Sequence, residues 1–154
     1  MASPDPWKSP TGDESAAVAA CVFCKIAAGQ LAAHIVAETP GTLVFLDARP
    51  LFPGHCLVVP RAHYETLNDL PESLLPALFG EVQRTTRALE RGLGAEGTFV
   101  AVNNRVSQSV PHLHVHVVPR KKKDGLKGFF WPRQKYENED AARSTCDAIK
   151  RALV

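Results

Sequence analysis

Three histidines, His112, His114 and His116, occupy every second position in SVPHLHVHVVPR, residues 109–120. Successive side chains of a strand point to opposite faces. Period two therefore puts the three imidazoles on one face and Leu113, Val115 and Val117 on the other. One strand histidine is ordinarily satisfied by hydrogen bonds within the fold. Three sharing a face, backed by a wholly apolar one, call for chemistry. Imidazole is a zinc ligand. Neutral imidazole is also a nucleophile, and protonated imidazole stabilises developing negative charge. The first property makes a metal site; the others suit phosphoryl transfer, which needs a nucleophile and donors around the phosphorus. Spacing alone leaves both open. The flanks add Asn103, Asn104, Ser107, Gln108 and Ser109, compact donors that suit phosphate oxygens or, more plainly, a polar turn.

A second cluster stands near the N-terminus. CVFC, with Cys21 and Cys24, reads as a redox pair, half of a metal site or two core thiols. A thioredoxin-like pair begins a helix after a strand; this one falls at or within a short helical segment. Zinc takes four ligands, of which the pair supplies two. Cys56, in the apolar run CLVV, reads as core, and Cys146 as one residue of a helix. Four cysteines in this chain are not a secreted disulfide scaffold.

The elements that must position these residues follow from patterning. Residues 16–29 predict a short helix closed by Gly29. TLVFLD, residues 42–47, and HCLVVP, residues 55–60, predict two strands joined by the turn ARPLFPG, hence an antiparallel pair. Leu74, Leu75, Leu78, Phe79 and Val82 recur at helical spacing after Pro71, and Gly92 is a stop. Pro76 kinks the start of that helix or shifts it later. GTFVAVNN, residues 97–104, predicts a strand running into a polar turn, and residues 110–119 the histidine strand. Residues 121–131 read as a basic and aromatic loop, and Ala141–Leu153 as a terminal helix. The order predicts an α+β domain around an antiparallel sheet, with one long helix and a C-terminal helix.

Composition bounds the rest. The chain has 154 residues, 45% hydrophobic and 22% charged, with a formal net charge of +2. That is one domain by size, with too little charge to imply nucleic acid as a partner. No run approaches the roughly 20 apolar residues of a membrane span. Residues 1–18, rich in Pro, Ser, Gly and Asp at their start, read as a flexible tail without a secretory signal, and 19–154 as the domain. Cytoplasmic location is the expectation.

Several separated motifs now coincide. HLHVHVV (112–118) fits the pattern His-φ-His-φ-His-φ-φ, with φ apolar, and QSV (108–110) precedes it. LVFLDARPLFPGHCLVVPRAH (43–63) and CVFCKIAAG (21–29) lie upstream in the same order. Over roughly residues 20–135 the chain resembles the histidine triad family of nucleotide hydrolases and transferases.

That resemblance implies a HIT-like domain, a purine nucleotide substrate and a nucleotidyl-histidine intermediate. His114 would attack the α-phosphorus of a nucleoside phosphoramidate or a dinucleoside polyphosphate, and a nucleoside monophosphate would be released. His116 would bind a phosphate oxygen, His112 would hold local geometry, and Ser109 or His116 would help protonate the leaving group. Asp47 would grip the ribose, and Phe23, Ile26, Leu31 and Phe45 would line the base pocket. Asn103, Asn104, Ser107 and Gln108 would flank the phosphate. Ser107 stands where the family usually has glycine, and the loop before it is shorter than is common; both bear on the shape of the phosphate pocket. In the bacterial zinc-containing branch, the sequence matches imply a structural zinc on Cys21, Cys24, His63 and His112. No organic cofactor is expected. The family implies a homodimer, to which GFFWPR, residues 128–133, could reach across. The alternative function is a nucleotide-binding or protein-interaction module with little turnover.

Overall fold

Alternation along TLVFL and CLVVP builds the centre of the molecule. In the computed structural model, which describes residues 14–126 and 134–153, Thr42–Leu46 forms β2 and Cys56–Pro60 forms β3, paired antiparallel with Val44 opposite Val58. Ile35–Glu38 (β1), Gly97–Ala101 (β4) and Val115–Arg120 (β5) complete a five-stranded antiparallel sheet of order β1-β2-β3-β5-β4. The sequence reading contains no β1. Three of its four residues are exposed and its pairing with β2 is bulged, so it lacks the buried alternation that marks a strand.

One face of the sheet packs on the long helix. Two 3-10 turns, Leu67–Asp69 and Glu72–Leu74, lead into α3, Leu75–Leu93, where Pro76 falls in the first turn. Leu78, Val82 and Leu89 of α3 share a core with Val44, Cys56, Val58, Leu113, Val115 and Val117. The helix passes through Gly92 and ends at Gly94, whose φ of 63° is the left-handed cap that glycine adopts without a Cβ penalty.

The other face of the sheet carries a second core: Leu43, Phe45, Leu57 and Val59 with Cys21 and Phe23. The predicted N-terminal helix is two, α1 (Glu14–Ala20) and α2 (Val22–Ala27), broken at Cys21. Cys21 is extended, with φ −72° and ψ 121°, and its sulfur accepts the backbone N–H of Cys24, capping α2.

The described residues divide after Lys122 into two compact units. In the second, Asn138 caps α4, Glu139–Ala152, by accepting from Ala141 N. Glu139 and Asp140 in the first turn and Lys150 and Arg151 in the last complement the helix dipole. Segment 128–133, the expected reach to a partner, lies outside the described residues. No described helix is long and apolar enough to cross a membrane.

Candidate active site

Only His116 of the three histidines lies in β5. The ladder to β3 begins at Val58 opposite Val115, and β4 ends at Ala101 opposite His116. Pro111 has no N–H to give, and the chain before Val115 bonds elsewhere: His112 N to Val110 O at 2.8 Å and Leu113 N to Tyr64 O at 2.6 Å. The alternation nevertheless holds through this stretch. Leu113, Val115 and Val117 enter the α3 core, while the rings of His114 and His116 lie 4.9 Å apart beside the second core.

His112 faces away from solvent entirely, at 0% exposure. Its Nε2 donates to Pro60 O at 2.8 Å, so the lone pair is on Nδ1. That Nδ1 is 3.4 Å from Cys21 Sγ and 3.5 Å from Cys24 Sγ, and Cys24 Sγ is 3.3 Å from His63 Nδ1. The four ligand atoms lie within 4.8 Å of one another. A tetrahedral zinc with ordinary Zn–S and Zn–N bonds separates S from N by roughly 3.6 Å, so the donor set fits a metal. The bond from His112 to Pro60 supplies the outer hydrogen bond that orients a histidine ligand. Burial, reinforced by Cys21, pushes the Cys24 thiol up to about 12, a group that yields its proton to a metal rather than to water.

His114 is the inverse tautomer. Its Nδ1 donates to His112 O at 2.6 Å, which leaves Nε2 with the lone pair. Burial lowers its pKa below the usual 6.5, against the raising effects of the His112 carbonyl and Asp47. At neutral pH His114 is therefore an unprotonated imidazole of fixed tautomer, with its lone pair on Nε2.

His116 is set by a residue the sequence reading gave only a supporting part, His55. Leu51 N donates to His55 Nδ1 at 3.1 Å, so His55 carries its proton on Nε2. That Nε2 lies 3.0 Å from His116 Nδ1 and donates to it. His116 in turn carries its proton on Nε2, as a donor. Burial and then the neighbouring His114 and His55 bring its pKa down to about 4, despite Asp47. The signal for His55 is its place at the start of a strand paired to the histidine strand: Cys56 is opposite Val117.

A cleft of about 790 Å³ opens on these groups. His114, His116 and Ser109 line one part of it. Phe23, Ile26, Leu31 and Phe45 line another, together with Leu57 and Val110, which patterning marked as strand residues only. Asp47 also lines it, its Oδ1 accepting from Arg49 N at 2.8 Å and its Oδ2 3.7 Å from His55 Nε2. The Phe23 ring sits edge-on 5.2 Å from His114 and 5.3 Å from Phe45.

The loop residues are placed differently. Asn103, Asn104, Ser107 and Gln108 are not among the residues lining the cleft. Asn104 Oδ1 accepts from Leu67 N at 3.0 Å, and Gln108 bridges Arg105 N and Glu65 O at 2.8 and 2.6 Å. Both side chains tie the loop down. Ser107 has φ 61°, so serine here takes the left-handed conformation that glycine would take without strain.

An α+β domain whose antiparallel sheet carries a cleft lined by two histidines of opposite tautomer defines the histidine triad class of proteins. The HIT domain family matches residues 28–123, and the chain belongs to that family. It is 36% identical to the adenylylsulfatase of Arabidopsis thaliana, over 69% of this chain and 55% of that protein. It is 33% identical to the adenosine 5'-monophosphoramidase of Candida albicans, over 75% of this chain and 80% of that one. A zinc-bound histidine triad family protein from Mycobacterium smegmatis superposes with a TM-score of 0.68 at 33% identity, covering 86% of this chain and 99% of its own. The family's catalytic-type histidines are thus present, beside a Cys2His2 cluster able to hold a metal.

Proposed function

We propose that the protein is a nucleotidyl hydrolase or transferase that cleaves at the α-phosphate of nucleoside phosphoramidates or dinucleoside polyphosphates. The observation that carries this reading is the 2.6 Å bond from His114 Nδ1 to His112 O, which leaves a neutral Nε2 available as nucleophile on a residue that lines the cleft. The nearby monophosphoramidase and adenylylsulfatase both point to adenylyl substrates.

In this reading the base rests among Phe23, Ile26, Leu31 and Phe45, and Asp47 accepts from the ribose hydroxyls. His114 Nε2 attacks the α-phosphorus. A P–N bond forms as the bond to the leaving group breaks, and the leaving group keeps the electron pair. The Ser109 hydroxyl relays a proton to it from solvent. His116 Nε2–H donates to a phosphoryl oxygen, where negative charge develops. Water then attacks the phosphorus, the P–N bond breaks, and the water's proton leaves to solvent. Nucleoside monophosphate is released and His114 is neutral again. A zinc on Cys21, Cys24, His63 and His112, as in the zinc-containing branch, would have no open position and would serve structure. A homodimer goes with this reading; Phe79, Leu93 and Val100, on α3 and β4, are exposed apolar residues that could meet a second copy.

The test is intact-protein mass after acid-quenched reaction with an adenosine phosphoramidate. Wild type should gain an adenylyl mass or release AMP rapidly, and His114→Ala should do neither. Binding of AMP without adduct or turnover in wild type would instead make the protein a nucleotide-binding module.

A further inference from the structure

Cys21 and Cys24, two of the four residues able to hold a metal, flank Phe23, a wall of the cleft. Cys21 caps α2, Cys24 lies in its first turn, and Phe23 is buried between them. The helix has six residues, far short of the ~12–15 that an isolated helix needs to be even marginal in water. Its hold on the molecule comes from apolar packing, from Arg61 Nη1, which donates to Ala27 O at 3.2 Å at its C-terminal end, and, at the end that carries Phe23, from the two sulfurs, which lie 3.3–3.5 Å from ring nitrogens of His63 and His112. The Phe23 ring meets His112 at 5.8 Å and His114 at 5.2 Å, and Ile26 lines the cleft one turn on.

The nucleophile is anchored by other means. His114 hangs on the His112 carbonyl, His112 on Pro60 O, and the intervening backbone on Val110 O and Tyr64 O. None of these bonds involves a sulfur. His112 is itself one of the four donors, but its Nε2 bond to Pro60 O and the neighbouring backbone bonds hold its carbonyl in place without a metal, so loss of a metal would loosen the base wall more than the reacting imidazole.

We propose that Cys21 and Cys24 are positioning residues for nucleotide recognition: with metal bound they clamp the turn that holds Phe23 against His114, and so set affinity for the base. This rests on the nucleotide reading above and adds a coupling between two sites. Such coupling is reciprocal, because the factor by which metal tightens nucleotide is the factor by which nucleotide tightens metal.

The experiment measures AMP affinity by calorimetry in zinc-loaded and chelator-stripped protein, and zinc affinity by competition with a chromophoric chelator, with and without saturating AMP. The expected result is about tenfold weaker AMP binding without zinc, within the usual range of site-to-site coupling, and the same factor in zinc affinity. The second measurement starts from folded, loaded protein and does not depend on the stripped form staying folded. Cys24→Ser should lose zinc binding and AMP affinity together, Cys24→His, which puts a nitrogen ligand in place of the sulfur, should retain both, and Phe23→Leu should keep zinc but lose the coupling. In turnover the effect should fall on KM and spare kcat. Equal AMP affinity in both forms, with only a lower Tm after stripping, would overturn this proposal and leave the nucleotide reading intact. Failure to bind zinc would also overturn it alone. Failure of both forms to bind AMP would overturn both.

Discussion

His55 Nε2 lies 3.0 Å from His116 Nδ1, while Leu51 N holds the opposite nitrogen of His55 at 3.1 Å. One backbone N–H thus decides, through two rings, that His116 presents a donor to the cleft. His55→Ala removes the proton that fixes this tautomer. It should lower nucleotide release about 10–100-fold, the usual cost of losing an orienting partner of a functional histidine. His55→Gln should recover part of the loss, since its amide can accept from Leu51 and donate to His116. Nitrogen-15 shifts of the His116 ring provide the check that a general loss of stability would not move: Nε2–H in wild type, and a mixture of tautomers in His55→Ala.

The pH dependence follows from burial. His114 is held below 6.5, and His116 and His112 at about 4. A histidine with a lowered folded pKa binds fewer protons than its unfolded counterpart, so its share of stability is full above 6.5 and is lost as pH falls toward the folded value. Thermal stability should hold from pH 8 to about 6.5 and then decline toward pH 4. Formation of the nucleotidyl adduct should follow the neutral fraction of His114, with its acid midpoint below 6.5. A midpoint above that value in a single-turnover pH profile would show that His114 is not shielded as described.

Ser107 bears a conformational cost at φ 61° that glycine would not. Glycine relieves strain of about 1–2 kcal/mol but gains unfolded-state freedom worth about 0.4–1 kcal/mol. Ser107→Gly should therefore raise stability by about 0–1.6 kcal/mol, at about 2–4 °C in Tm per kcal/mol for a chain of this size. Ser107→Val, with branching at Cβ, should lower it. Differential scanning calorimetry of the three proteins decides the order.

Asp47 is held by Arg49 N at 2.8 Å and faces the cleft. If it accepts from ribose, Asp47→Ala should weaken AMP binding about 10–100-fold and erase the preference for AMP over 2',3'-dideoxy-AMP. Asp47→Ala that weakens both ligands equally would move the role from ribose recognition to the Asp47–His55 contact.

The legible part of the molecule was written in alternation and in cysteine–histidine chemistry. Leu43, Val44, Phe45 and Leu57, Val58, Val59 alternate between two cores, so β2 and β3 could be read directly. The cluster of Cys21, Cys24, His63 and His112 came through resemblance, because residues 91 apart reveal no proximity by spacing. The exposed edge strand β1 left no pattern. The break at Cys21 was hidden because a run rich in alanine favours helix throughout, whereas the sulfur of Cys21 serves better as a cap. Loop side chains were the least legible. Asn104 and Gln108 look like phosphate donors in sequence, yet their partners, Leu67 N, Arg105 N and Glu65 O, are main-chain groups brought near only by the fold.

Asp47, His55 and His116 also have ligand atoms within 4.8 Å of one another, which raises the question of a second metal. Tautomers argue against it. A cation on His55 Nε2 needs the lone pair there and moves the ring proton to Nδ1, where it would face the N–H of Leu51 3.1 Å away. The same cation would displace the 3.0 Å bond from His55 to His116. At the other cluster the Pro60 bond already puts the lone pair of His112 toward the sulfurs. Zinc-saturated protein should therefore hold one tightly bound zinc per chain by elemental analysis after desalting. Cys21→Ser/Cys24→Ser should reduce this to none, and His55→Gln should leave it at one. A cobalt-loaded sample should show sulfur-to-metal charge transfer that saturates at one equivalent. Two equivalents, with the second lost in His55→Gln, would mean that the proton between His55 and His116 is replaceable by a cation.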